Sequence, residues 1–113
     1  MTNLNLLALK CRDIDSTKRF YEILGNAFDK HRHGSGPEHF ASESEFGVFE
    51  LYPSGELTPD NVALGFKVKQ FEKTRNDLMT AGFAPGPIKE NPWGTTFVVR
   101  DPDNRRVEIT KAE

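Results

Sequence analysis

The feature that most constrains the fold is a weak internal repeat with an offset of 57 positions, which places Leu6 on Ala63. Chemically similar residues then coincide along both halves of the chain. The further matched pairs are Ala8 with Gly65, Lys10 with Lys67, Ile14 with Phe71, Asp15 with Glu72, Thr17 with Thr74, Gly25 with Gly82, and Phe40 with Phe97. A fixed offset of this kind indicates two copies of one supersecondary unit joined in tandem.

Each half is predicted to contain a strand, a short helix closed by glycine, and three further strands. The predicted strands are 4–11, 28–33, 38–43 and 46–52, then 61–68, 83–89, 95–100 and 106–110, and the predicted helices are 18–24 and 71–81. Residues 13–17 precede the first helix and supply capping side chains, and Phe20, Tyr21 and Leu24 form its apolar stripe. Residues 101–104 predict a tight turn in which Asn104 takes a positive φ.

The predicted fold class is therefore α+β, with two tandem βαβββ modules at about 1–57 and 58–113 in a single domain. The eight strands would form two curved, mixed, four-stranded sheets. A chain of 113 residues with 36% hydrophobic and 28% charged residues is typical of a globular domain and not of a disordered segment.

The net charge and the cysteine content limit which partners and which cellular compartment can be expected. A net charge of −2 offers no basic footprint for nucleic acid or for an anionic membrane surface. The single Cys11 cannot form an internal disulfide, and the first residues lack the profile of a signal peptide. We therefore expect a cytoplasmic protein that binds neither nucleic acid nor membrane.

Two motifs resemble those of a known family. Residues 13–25, Asp-Ile-Asp-Ser-Thr-Lys-Arg-Phe-Tyr-Glu-Ile-Leu-Gly, resemble the opening motif of the vicinal oxygen chelate superfamily, which includes glyoxalases, bleomycin resistance proteins and extradiol dioxygenases. Residues 92–104, Pro-Trp-Gly-Thr-Thr-Phe-Val-Val-Arg-Asp-Pro-Asp-Asn, followed by Val107-Glu-Ile, look like its closing motif. The resemblance covers nearly the whole chain. It implies a glyoxalase-like fold whose two modules form a cup, either within one chain or between two chains, and we expect a homodimer.

The resemblance also implies four positions at which metal-dependent members hold a divalent ion. Those positions correspond to Leu6, Glu50, Ala63 and Glu108 in this sequence, and two of them carry aliphatic side chains. No cofactor is therefore expected, although Mn²⁺, Mg²⁺, Ni²⁺, Zn²⁺ or Fe²⁺ held by Glu50 and Glu108 stays an alternative. The two carboxylates could instead form an acid/base pair, or be the polar half of a strand alternation.

The three histidines, His31, His33 and His39, lie close together in the sequence. His31 and His33 would share one face of a strand and could chelate a metal ion. Because no third ligand is fixed beside them, we interpret all three as surface or rim residues.

Four residues are the candidate ligand contacts: Lys10, Tyr52, Lys67 and Trp93. Strand alternation sends Lys10 and Tyr52 to the same side as Glu50, and the repeat sends Lys67 there too. Trp93 could stack on a planar ligand, or could cap the core or a dimer contact. Both lysines could pair with an anionic group of the ligand, or could be simply solvated.

The leading hypothesis is a metal-independent protein that sequesters a small molecule, such as an antibiotic, in a cup-shaped cavity. The rival is a metal-dependent lyase, isomerase or dioxygenase of the same superfamily that uses Glu50 and Glu108. A metal-free enzyme with either carboxylate as general base, and a regulatory domain with an empty cup, are further alternatives.

Overall fold

The computed structural model describes residues 2–32 and 34–113 and contains two helices and eight strands within them. The elements in chain order are β1 (Leu6–Cys11), α1 (Ile14–Ile23), β2 (Asp29–His31), β3 (His39–Glu43), β4 (Val48–Pro53), β5 (Leu64–Val68), α2 (Phe71–Thr80), β6 (Lys89–Asn91), β7 (Gly94–Arg100) and β8 (Arg106–Lys111). The two helices are related by the 57-position offset at both ends. The α+β class with two tandem βαβββ modules is thus confirmed.

Each module contains one mixed four-stranded sheet. The strand orders are β1-β4-β3-β2 and β5-β8-β7-β6. In both sheets the first strand pairs in parallel with the fourth, and the remaining pairs are antiparallel. The chain divides into two compact units, one formed by residues up to Glu22 with Asn26–Asp60, the other by Ile23–Gly25 with Asn61–Glu113.

Helix α1 begins at Ile14, one turn earlier than the predicted start at residue 18. Asp13 is its cap: the Ser16 amide and hydroxyl both donate to the Asp13 carboxylate at 3.1 Å. These hydrogen bonds hold the pKa of Asp13 below its ordinary value. Because the side chain of Asp13 accepts a hydrogen bond from an amide of the first turn, residues 14–17 belong to the helix and are not a non-helical segment before it.

Apolar alternation buries one face of each sheet against the helix of its own module. In the first module the ring of Tyr21 meets that of Phe49 edge to face at 5.0 Å, and Phe20, Leu9 and Leu51 are fully buried. The apolar stripe predicted for α1 is confirmed, since Phe20, Tyr21 and Leu24 are all buried. The opposite face of each sheet, called the distal face below, carries the alternate side chains of every strand.

The second module buries Phe71 on α2 against Phe97 on β7 at 5.2 Å. It also buries a charged pair in the turn between β7 and β8. Arg105 donates to Asp101 at 2.9 Å, and both side chains are fully buried. Asn104 in this turn has φ 67°, as predicted.

The predicted strand at 83–89 is wrong, because β6 spans only Lys89–Asn91. Pro85 and Pro87 lack the N–H groups that a strand ladder requires. Between them, the Gly86 amide donates to the Val98 carbonyl at 2.8 Å, and the Arg75 guanidinium donates to the Gly86 carbonyl at 2.8 Å.

Within the described residues, neither helix combines the length and the apolar character needed to cross a membrane.

Candidate functional site

A row of four side chains crosses the distal face of the first sheet, one from each strand. Strand register places Lys10 opposite Tyr52, and His31 opposite His39. The Phe40–Leu51 pairing puts His39 beside Tyr52. The Tyr52 and His39 rings stack at 4.2 Å with 11° between their planes, and Lys10 Nζ lies 4.6 Å from the Tyr52 centroid. We call this set, Lys10, Tyr52, His39 and His31, the ring row.

His39 is the residue that sequence reasoning misjudged. The sequence predicts a surface or rim residue at this position, yet His39 is only 2% exposed. Its Nε2 lies 3.4 Å from Glu50 Oε2, and its Nδ1 lies 3.3 Å from the Pro37 carbonyl oxygen. His39 is buried because the pairing of β3 with β4 places its imidazole between the Tyr52 and His31 rings. The centroid of the His31 ring lies 5.9 Å from that of His39. His33 lies outside the described residues.

Glu50 lies on the same distal face, on β4. Its cross-strand neighbours are Ala8 on β1 and Ala41 on β3, so no long side chain stands on either side of it. Leu6, Val48 and Glu43 border the space above Glu50 along one side, and Tyr52 and His39 border it along the other. Three neighbouring strands span roughly 10 Å, which is about the length of a two-ring aromatic compound. We call this space the Glu50 recess.

The phenol of Tyr52 stays in its neutral form well into the alkaline range. Burial, and then the nearby negative charge of Glu50, raise the pKa of Tyr52 above its ordinary value of 10.0. At neutral pH the hydroxyl is therefore a hydrogen-bond donor at the border of the recess.

The second sheet carries a different row at the equivalent positions. Register aligns Lys67, Thr110, Thr96 and Lys89 across β5, β8, β7 and β6. Threonines thus replace the tyrosine and the buried histidine. Glu108 lies between Gly65 and Val98, and its carboxylate is 3.9 Å from Arg106. The repeat therefore does not extend to the two central side chains of this row.

The structure brings Glu108 and Trp93 to one cavity of about 210 Å³. Its lining residues are Gly86, Pro87, Lys89, Asn91, Trp93, Phe97, Val98, Arg106 and Glu108. Lys67 does not line it, but shares a separate groove of about 400 Å³ with Trp93. Trp93 is 62% exposed, so it has a free aromatic surface at both places.

The residues do not fit the metal centre that the family resemblance implies. Leu6 and Ala63 offer no donor atom, and Ala63 precedes β5 instead of lying within it. In the part of the chain that the structure describes, no three His, Cys, Asp or Glu side chains are grouped so that they could hold one ion. Metal independence itself stays a prediction.

Comparison with known proteins gives the fold. No protein-family model matches the chain, and no curated protein matches it in sequence. Among solved structures, the antibiotic binding protein TnmS3 from Streptomyces sp. CB03234 superposes with a TM-score of 0.79 at 18% identity, over 100% of this chain and 98% of that chain. Oxidase ChaP-H2 gives a TM-score of 0.77 at 19% identity, over 99% and 94%. A glyoxylase/bleomycin resistance protein/dioxygenase domain from Frankia sp. EAN1pec gives 0.71 at 22% identity, over 100% and 99%.

Proposed function

We propose that this chain, whose fold is that of the glyoxalase, bleomycin resistance and dioxygenase proteins, is a metal-independent small-molecule-binding protein whose ligand occupies the Glu50 recess. The single observation that carries the proposal is the setting of Glu50: a carboxylate with an alanine on each side, bordered by apolar residues and by stacked rings. A small-molecule site typically combines an apolar floor with a few convergent polar groups.

The borders of the recess specify the chemistry of the ligand. Leu6, Val48 and the two alanines favour an apolar, flat body, while Glu50 accepts hydrogen bonds from N–H or O–H groups. Tyr52 donates a hydrogen bond from one border, and Lys10 adds a positive charge beyond it. We infer a planar aromatic ligand of about two rings that carries a hydrogen-bond donor.

Sequestration of an antibiotic is the biological role that we propose for this binding. It is supported by the shared fold of the Streptomyces antibiotic binding protein and by the absence of metal donors at Leu6 and Ala63. Trp93, exposed at a cavity of the second module, stays a candidate contact for a separate ligand. A homodimer and a cytoplasmic location remain predictions.

Isothermal titration with 2-aminobenzimidazole tests the proposal, because its paired N–H groups match the two oxygens of a carboxylate. We expect measurable binding that weakens about tenfold or more in Glu50→Gln, since a hydrogen bond to a charged group contributes about 1.5–3 kcal/mol. Glu108→Gln is the matched control, because it removes the equivalent carboxylate of the other module, and it should bind like wild type. Equal binding by Glu50→Gln and wild type would contradict the proposal.

A further inference from the structure

We propose that the distal face of the second module holds a separate site for a planar aromatic carboxylate, in the cavity lined by Lys89, Trp93 and Arg106. The inference goes beyond the proposed function, because it assigns a second ligand, of a different charge, to the other module. It does not depend on a ligand in the Glu50 recess.

The first argument is the set of charges that strand register brings to this face. Arg106 on β8 is the direct cross-strand partner of Arg100 on β7. Lys67 on β5 and Lys89 on β6 lie at the two ends of the row that crosses the same face. Glu108 is the one carboxylate that the four strands place there. Four cations therefore stand against a single anion on the distal face of the second module.

The second argument is that this excess of positive charge is left unbalanced by the fold. Like charges directly opposite each other on neighbouring strands destabilise a sheet, and Arg100 and Arg106 are such a pair. Within residues 2–32 and 34–113, the ion pair between Arg106 and Glu108, at 3.9 Å, is the one that any of the four cations forms. A bound carboxylate would supply the missing negative charge. Its two oxygens also match the planar fork of a guanidinium.

The third argument is a cavity whose wall is already in place. The Gly86 amide donates to the Val98 carbonyl at 2.8 Å, and the Arg75 guanidinium donates to the Gly86 carbonyl at 2.8 Å. Both sides of this backbone segment are thus held, so less conformational entropy is lost when a ligand binds against it. The cavity of about 210 Å³ is smaller than a typical site for a drug-sized ligand. It therefore fits a compound of one or two rings.

The aromatic part of the ligand follows from the apolar lining. Trp93 is 62% exposed at the cavity, and its indole offers a flat surface on which a ring can stack. Val98 adds an apolar side chain on β7, next to Glu108. The ligand thus combines a flat ring with a carboxylate at its edge.

Glu108 opposes an anion in this cavity and gives the inference a signed prediction. Its side chain is 24% exposed, and the Arg106 guanidinium at 3.9 Å offsets part of its negative charge. Glu108→Gln should therefore strengthen the binding of an aromatic carboxylate, whereas Lys89→Gln and Arg106→Gln should weaken it. A site for a cation would show the reverse order.

The test is an NMR titration of ¹⁵N-labelled protein with 2-naphthoate, a flat two-ring carboxylate, and with 2-naphthamide, its neutral counterpart. Trp93 is the single tryptophan, so its indole N–H gives one cross-peak that reports on this cavity. We expect 2-naphthoate to move this peak with about tenfold higher affinity than 2-naphthamide, because hydrogen bonds to charged groups are the stronger ones. Arg106→Gln should weaken 2-naphthoate binding about tenfold. Glu108→Gln should strengthen it about threefold.

Lys73→Gln is the matched control for Lys89→Gln. It removes the same charge from an exposed lysine of the same module that does not line the cavity. Lys73→Gln should bind 2-naphthoate like wild type, while Lys89→Gln should bind it about threefold more weakly. Thermal melting first establishes that each variant is folded, as expected for changes at exposed side chains. Equal affinity for 2-naphthoate and 2-naphthamide, or unchanged affinity in Arg106→Gln, would overturn the inference.

Glu50→Gln separates this inference from the proposed function. It should bind 2-naphthoate at Trp93 like wild type, even though it loses affinity for 2-aminobenzimidazole. If 2-naphthoate no longer moved the Trp93 peak in Glu50→Gln, the separate site would be overturned and the proposed function would stand. If Glu50→Gln kept full affinity for 2-aminobenzimidazole, the proposed function would fail and the site at Trp93 would be unaffected.

Discussion

Removal of the Asp101 carboxylate should destabilise the second module more than any surface change. Its Oδ1 accepts hydrogen bonds from the backbone amides of Asp103 and Arg105, each at 2.9 Å, and its Oδ2 accepts from the Arg105 guanidinium. Asp101→Ala leaves a guanidinium that is 0% exposed without this carboxylate. Loss of one partner of a buried pair costs about 3–5 kcal/mol. Asp103, 3.6 Å from Arg105, offsets part of that loss, so we expect about 3 kcal/mol.

Urea denaturation followed by circular dichroism measures this loss. With a slope of about 2 kcal/mol per M, the midpoint of Asp101→Ala should fall by about 1.5 M. Asp77→Ala is the matched control, since it removes an exposed partner of Lys73 and should cost about 0.5 kcal/mol or less. If the two variants had similar midpoints, the buried pair would not stabilise the turn, and the reasoning would be refuted.

Three further perturbations test other parts of the structure. The pKa of Tyr52 is raised above 10.0, so the stability that its neutral form contributes is present below pH 10 and is lost as the pH rises through the folded-state pKa. Tyr52→Phe should therefore flatten the alkaline decline of the melting temperature. The pKa of Asp13 is lowered below 3.8, so the stability that its carboxylate contributes is present above that pH and is lost as the pH falls through the folded-state pKa. Asp13→Ala should have a lower melting temperature at pH 7, and its melting temperature should depend less on pH in the acid range. An unchanged acid dependence of the melting temperature would contradict the capping role. Gly47 has φ 144°, and a Cβ there would overlap the backbone of Asn5, whereas a Cβ at Gly55 would meet open space. In urea denaturation, Gly47→Ala should therefore lower the free energy of unfolding by at least about 2 kcal/mol more than Gly55→Ala.

Much of the fold could be predicted because its signals are local. Strand alternation, the Asp13 cap and the turn at Asn104 each depend on neighbouring residues, and the repeat then sets the element order. The strand predicted for residues 83–89 is wrong because the prolines on both sides of Gly86 have no N–H group to donate to a strand ladder.

The candidate site was predicted only in part. Alternation along single strands placed Lys10, Glu50 and Tyr52 on one face, as found. The environment of His39 was not predictable in this way, since it depends on the register between β3 and β4. One signal was available in the sequence. His39 and Ala41 lie two residues apart on β3 and therefore face the same side of the sheet, so a correct pairing of β3 with β4 would have put the imidazole beside Glu50.

The most direct test of the central claim is a ¹⁵N NMR titration of the labelled protein with 2-aminobenzimidazole. We predict that the largest amide shift changes occur in β1, β3 and β4 at Ala8, Ala41 and Glu50, the three residues of the recess floor. Shift changes confined to the cavity of Trp93 and Glu108, with the first sheet unaffected, would contradict the account.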